Sequence, residues 1–441
     1  MSTGRLLLRG GRLVDPVAGR DEIMDVLITD GEIAGVGDVG EVSDRVEVLE
    51  LAGMVVAPGL VDMHTHLREP GREDEETIES ASCAAVAGGF TAVCAMPNTD
   101  PVADTASVVE KVWARGREVG LCEVVPAGAI SRGLAGEKMA DLGEMARSMA
   151  SVRLFTDDRH GVQNALLARR VMEYLTAFDA IYAEHCEDAS LALGGQMNEG
   201  ERSAALGLRG IPAAAEELMA ARDISLAQMT GCRLHLLHVS TAGTVEMVRR
   251  AKADGVRVTC EATPHHFSLT DDILETYDPN AKVNPPLREE IDRLAIIEGV
   301  KDGTINAIAT DHAPHAPEEK DREFIYAPPG MVGLETALAL TISELVETGH
   351  LSLPVALERL SSAPARILGL REQGCAIEAG ATANLVVFDP TAEWTVDPRA
   401  FNSKSINTPF AGRSLKGKVV HTFFKGRQVV RDGQVLREAL V

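Results

Sequence analysis

Between residues 56 and 369 short apolar runs alternate with segments of helical periodicity, and this alternation restricts the fold more than any other feature. The first run is Met54, Val55, Val56, Leu60 and Val61; others cover 90–96, 122–130, 151–156, 180–186, 233–240, 256–263 and 307–310. Apolar runs this short and continuous read as strands buried on both faces, the habit of a parallel sheet. Stretches 105–118, 164–177, 213–230 and 244–253 carry the helical pattern between them. Eight such strands with their helices, over roughly 310 residues, predict an α/β chain folded as a (β/α)8 TIM-type barrel, a fold of about 200 to 400 residues. An open doubly wound sheet is the alternative. No Gly-x-Gly-x-x-Gly opens a helix, so nothing marks a nucleotide crevice.

The two ends have a different character. Residues 6–8, 12–14, 26–29, 33–36 and 46–51 read as short strands, with Asp30-Gly31 as a two-residue hairpin turn. Strands return at 384–389 and 419–424, with turns at Lys425-Gly426 and Asp432-Gly433. The expected organisation is a small β-sandwich domain built from 1–55 plus 370–441, beside a catalytic barrel spanning 56–369.

Charge narrows the partners. With 43 Lys and Arg against 66 Asp and Glu, the formal charge of −23 repels a phosphate backbone, so nucleic-acid binding is not expected. An anionic small substrate remains compatible, because one local arginine outweighs a distant field beyond a screening length of about 8 Å. The opening residues Met1 to Gly11 show no leader pattern, and no apolar stretch of about 18 residues marks a membrane span. Seven scattered cysteines, never spaced Cys-x-x-Cys, read as small buried residues in a reducing compartment, and the cytoplasm is the expected location.

Polar residues fall where a barrel enzyme keeps its site, at the C-terminal ends of the strands. His64 and His66 end the first; Asp157-Asp158, Glu184-His185, His238 and Asp311-His312 end the fourth, fifth, sixth and eighth. Alternation along a strand puts His64 and His66 on one face, able to share a metal at about 2.0–2.1 Å. Each residue alone has a plain structural reading, as a packed histidine or a helix-capping aspartate. Converging together they form a ligand shell for two divalent metals, although strand periodicity does not choose between Asp157 and Asp158. Arg68, two residues past His66, is placed on the same face and fits a bidentate carboxylate contact.

Gly59-Leu60-Val61-Asp62-Met63-His64-Thr65-His66, Ala309-Thr310-Asp311-His312-Ala313-Pro314-His315 and the 380–389 strand resemble the amidohydrolase superfamily. Within it, 67–71, Met96-Pro97-Asn98-Thr99, Val283-Asn284-Pro285-Pro286-Leu287-Arg288 and Gly333-Leu334-Glu335-Thr336 resemble the dihydroorotase family, in its long bacterial (class I) type. The resemblance covers nearly the whole chain. It implies a metal-dependent cyclic amidase that interconverts (S)-dihydroorotate and N-carbamoyl-L-aspartate in pyrimidine biosynthesis. His64, His66 and Asp311 would hold one metal and His185 and His238 the other, with Asp158 bridging where many relatives carry a carboxylated lysine. Two divalent ions, Zn2+ by preference, would share a hydroxide, and Asp311 would act as general base and acid. His66, Arg68, Asn98, Asn284 and His315 would bind substrate, with the backbone at Pro329-Gly330 reading the ring. Arg159 stands where relatives tend to carry glycine, and Pro329 where they tend to carry an aromatic residue. A homodimer and an association with aspartate transcarbamoylase are the partners such a chain admits.

His265-His266 have the right type for ligands, but the shell is already filled, so packing or support is expected of them. His312 should point away from the mouth, and His160, His235, His350 and His421 have no evident convergent partners. Residues 314–330, with four prolines and a charged run, are expected to form a lid or a solvated loop. The competing readings are another cyclic amidase (hydantoinase, dihydropyrimidinase or allantoinase) and an inactive scaffold. A neutral hydantoin ring would leave a buried Arg68 without its carboxylate, and an inactive scaffold would have lost ligand histidines that are present here.

Overall fold

The computed structural model describes residues 4–39 and 46–437, so residues 1–3 of the leader reading and the outer limits of the terminal domain lie outside the described residues. Strands β1 (Leu6–Asp15), β2 (Arg20–Thr29), β3 (Glu32–Val36), β4 (Glu47–Glu50) and β5 (Val55–Pro58) precede β6 (Leu60–Thr65). Next come β7 (Phe90–Ala95), β8 (Glu123–Pro126), β9 (Leu154–Thr156) and β10 (Ile181–Glu184), then a small pair, β11 (Met197–Asn198) and β12 (Gly210–Ile211). The middle ends with β13 (Arg233–Leu236), β14 (Val258–Ala262) and β15 (Ala307–Ile308). At the far end lie β16 (Leu385–Thr395), β17 (Ser414–Phe424), β18 (Arg427–Arg431) and β19 (Gln434–Val435).

Strands β6, β7 and β8 pair in parallel, as do β9, β10, β13, β14 and β15. Two isolated parallel bridges join these sets, Gly128 with Phe155 and Thr65 with His312. The pairing therefore returns to its starting strand. Val61, Met63, Cys94, Ile181, Leu237 and Ala309 belong to one buried cluster, while Phe90, Val109, Val112, Val171, Val245 and Leu357 belong to the larger cluster that includes the helices. Two buried faces explain why the strands carry no polar alternation. The helix Ala106–Val119 buries Val109, Val112, Gly116 and Val119 along one stripe. A Cβ on Gly116 would stand 2.4 Å from Val124 Cβ, so glycine is what lets this helix approach β8.

Both termini contribute to one nine-stranded sheet, ordered β19-β18-β17-β16-β5-β1-β2-β3 with β4 on β1. Thr29 pairs with Glu32 across Asp30-Gly31, whose φ values of 54° and 90° suit a type I′ turn. The first sequence segments, 6–8 and 12–14, are a correction: they form the single strand β1, interrupted by a register shift between Leu8 and Gly11. A bulge hides strand continuity from a period-two pattern.

The middle strands are shorter than the apolar runs. The 233–240 run keeps strand geometry only over Arg233–Leu236, and 307–310 only over Ala307–Ile308. Beyond those points the chain turns, with His238 at φ 29° and Asp311 at φ 47°. No helix among the described residues is long and apolar enough to cross a membrane.

Candidate active site

Every residue singled out in the sequence for metal or substrate, His64 excepted, lines one cavity of about 130 Å³: His66, Arg68, Asn98, Asp158, His185, His238, Asn284, Asp311, His315, Pro329 and Gly330. His64 has no exposed surface and stands behind Asp158 and Asp311, its Nε2 3.5 Å from each.

Asp158 sits at the centre of the imidazoles. Its Oδ2 lies 3.5 Å from His64 Nε2 and 3.4 Å from His66 Nε2. Its Oδ1 lies 3.7 Å from His185 Nδ1 and 3.6 Å from His238 Nε2. Each carboxylate oxygen thus faces one histidine pair. Asp311 Oδ1 stands 3.5 Å from His64 Nε2 and 3.1 Å from His66 Nε2. Asp157 is spent elsewhere, accepting from the Ser131 backbone N–H at 2.9 Å and from its hydroxyl.

These spacings fit a metal. Donors about 2.0–2.2 Å from one ion at the tetrahedral angle stand roughly 3.3–3.6 Å apart. His64 Nε2 is buried without a hydrogen-bond partner, and on the other side of Asp158 His185 Nδ1 lies 2.9 Å from His238 Nε2. His64, His66 and Asp311 form one group able to hold an ion, and His64, Asp158 and His238 another. Burial pushes the Asp158 and Asp311 carboxyls up, but the surrounding histidines outweigh it and hold both below the ordinary range. Burial and the His238 charge pull His185 down to about 3, which favours the neutral, lone-pair form that a metal needs.

Neighbours fix the rings. Asn98 Oδ1 lies 2.9 Å from His66 Nδ1, and Glu261 Oε1 lies 2.7 Å from His64 Nδ1. Both contacts assign the proton to Nδ1 and bare Nε2 toward the carboxylates. Asp62 accepts from the backbone of His64 and Thr310, each at 3.1 Å, tying the end of β6 to the end of β15.

Arg68 reaches the cavity by a route that strand alternation does not describe. The strand stops at Thr65, and Arg68 adopts φ 62°, which swings its side chain over the mouth. Its Nε lies 2.9 Å from Glu75 Oε2 and donates to Pro314 O at 3.1 Å. The terminal amino groups have no protein hydrogen bond among the described residues and can take a carboxylate. Asn284 Oδ1 is buried and unpartnered. Gly330 N–H donates to Lys282 O at 2.9 Å and Pro329 O receives His315 Nε2 at 3.0 Å, which fixes this backbone in the cavity wall.

His235 and His160 depart from what the sequence suggested, whereas His265, His266 and His312 keep to it. His235 does have a partner, Glu261 Oε2 at 3.2 Å, which links it to His64. His160 and Arg159 line the cavity. Arg159 adopts φ 86°, the conformation that explains why glycine suits this position. His265 and His266 are buried beside the centre, with His266 bound to Thr263 Oγ1 and Pro285 O. His312 turns to Glu76 at 3.3 Å. Within segment 314–330, expected as a lid or a solvated loop, Lys320 Nζ donates to Pro279 O and Pro328 O, both at 2.8 Å, and Arg72 reaches Glu319 at 2.9 Å. Glu261 was legible only as a carboxylate inside a buried strand, and Glu75 carried no signal.

A family model described as Dihydro-orotase-like matches residues 53–244. The dihydroorotase of Pelotomaculum thermopropionicum is 50% identical over 428 residues, 97% of this chain and 99% of that protein. That of Streptomyces coelicolor is 48% identical over 431 residues, 98% and 99% respectively. Among solved structures, the L-hydantoinase (dihydropyrimidinase) of Arthrobacter aurescens superposes with a TM-score of 0.87 at 25% identity, covering 98% of this chain and 97% of its own. Taken with the geometry, these likenesses place the chain: it belongs to the dihydroorotase family.

Proposed function

We propose that this chain hydrolyses and re-forms the ring amide of dihydroorotate, interconverting it with N-carbamoyl-aspartate in de novo pyrimidine biosynthesis. The observation that carries the reading is Asp158, with one oxygen toward each histidine pair, beside a cavity walled by Arg68. In this reading His64, His66, Asp158 and Asp311 would hold one divalent ion and His185 and His238, with Asp158 shared, a second, zinc being the preferred metal for this N/O set. The returning ring of parallel strands is read as a (β/α)8 barrel and the terminal sheet as a small β-sandwich domain; because β5 (Val55–Pro58) pairs with β1 and β16, the sequence boundary at 55/56 moves to the end of β5, and the ring begins with β6. Free thiols at all seven cysteines agree with a cytoplasmic location. A homodimer and an association with aspartate transcarbamoylase are the partners this reading admits.

When bound, the metal pair acidifies water toward neutrality from about 15.7 and polarises the amide carbonyl. The side chains supply the rest. Arg68 clamps the substrate carboxylate through its terminal amino groups, and Asn98, Asn284 and His315 orient the ring. Asp311 accepts the proton of the attacking water at its carboxylate and passes it to the leaving ring nitrogen. In ring closure the same carboxyl starts protonated.

A spectrophotometric assay of dihydroorotate hydrolysis, with hydantoin and dihydrouracil as competitors, tests this. Turnover of dihydroorotate and its collapse in Arg68→Met are expected. Preference for a neutral ring, or unchanged kinetics in Arg68→Met, would reassign the substrate.

A further inference from the structure

Between β16 and β17 the chain leaves the terminal sheet, and residues 402–408 cross to the mouth of the cavity. Glu335 takes the Asn402 backbone and side-chain amides at 2.7 and 2.9 Å, Glu76 takes the Lys404 N–H at 3.1 Å, and Ser405 Oγ donates to Glu75 O at 2.8 Å. The crossing delivers Asn407, which is only 3% exposed.

Asn407 Nδ2 donates to Ala313 O at 3.0 Å and to Gly330 O at 3.1 Å. Its Oδ1 accepts the His315 backbone N–H at 3.2 Å, and its main-chain oxygen accepts Val332 N–H at 2.9 Å. The planar amide therefore spans two segments, 313–315 and 330–332, beside their one direct main-chain bond, Ala313 N–H to Met331 O at 2.9 Å. Both segments carry groups assigned above to the substrate: His315 on the first, Pro329-Gly330 abutting the second. The fit is close, since a Cβ on Gly330 would stand 2.9 Å from His315 Nε2. Nothing else among the described residues bonds both segments through one side chain.

We propose that Asn407 is a positioning residue for substrate binding, setting the gap between His315 and the Pro329-Gly330 backbone from a segment of the terminal domain. This rests on the reading that those groups hold dihydroorotate. Asn407 touches no reacting atom, so its loss weakens ground-state and transition-state binding alike, which raises KM and spares kcat.

The test uses the metal-loaded full chain with Asn407→Ala and the isosteric Asn407→Asp, which keeps an acceptor for His315 N–H but loses both donors. Loss of the two donated hydrogen bonds in Asn407→Asp, and of these plus the accepted one in Asn407→Ala, predicts a KM for dihydroorotate at least about tenfold higher in each variant, with kcat and metal content per chain retained. A fall in kcat with KM unchanged, unaltered kinetics in both variants, or loss of metal or fold along with activity would overturn the proposal. The unaltered chain is assayed alongside. If it does not hydrolyse dihydroorotate, the functional reading and this inference fall together, whereas an active parent with unaffected variants rejects Asn407 alone.

Discussion

Glu261 Oε1 lies 2.7 Å from His64 Nδ1 while its Oε2 lies 3.2 Å from His235 Nε2, so one buried carboxylate locks two imidazoles. Burial pushes this carboxyl up, but the neighbouring His64 and His235, both hydrogen-bonded to it, outweigh burial and hold it at about 2. The consequence is directional: His64 keeps its proton on Nδ1 and offers Nε2 to the centre. Glu261→Gln puts a neutral amide there, and weakens metal affinity about 10–100-fold through loss of that orientation. Competition against a chelator of known affinity measures this; an affinity equal to that of the parent would refute the link.

Arg159 carries a different kind of cost. It adopts φ 86°, is exposed, and makes no hydrogen bond or ion pair among the described residues. Nothing in its contacts repays a backbone conformation that costs a non-glycine residue about 1 kcal/mol. Arg159→Gly is expected to stabilise the fold by roughly that amount. The readout is the thermal or denaturant midpoint, and a midpoint that falls would mean that the guanidinium earns its place in the folded state.

Glu335 makes stability depend on pH away from the metal residues. Burial pushes its carboxyl from an ordinary 4.5 up to about 7, despite N–H donors from Asn402 and Ser403. Between those two values the folded chain keeps a proton that the unfolded chain has released. Stability from this group is therefore complete below pH 4.5 and is lost as pH rises through 7. Unfolding midpoints across that window should fall more steeply for the parent than for Glu335→Gln; parallel profiles would show that Glu335 does not titrate there.

How far the sequence carries a reader depends on whether the cause is local. The middle strands announce themselves because both faces are buried, so their residues are apolar without a break. Their ends do not, because His238 and Asp311 leave the ladder through positive φ values that no propensity records. Arg68 was placed in the cavity by strand alternation, and it is there, but a left-handed turn brings it. Asp157 and Asp158 are adjacent carboxylates that differ only in what surrounds them: a serine for one, four histidines for the other. Glu261, Glu75 and Asn407 act through partners far away in the chain. Asn407 and Gly330 are 77 residues apart, and such a pairing exists only once the fold has formed.

The central claim is that a carboxylate-bridged metal pair does the chemistry in this cavity. Metal content and dihydroorotate hydrolysis should be measured on the same sample, before chelation, after it, and after add-back of Zn2+. The account predicts two ions per chain, activity that disappears with them, and recovery when they return. A folded chain that hydrolyses dihydroorotate at full rate without bound metal would contradict it.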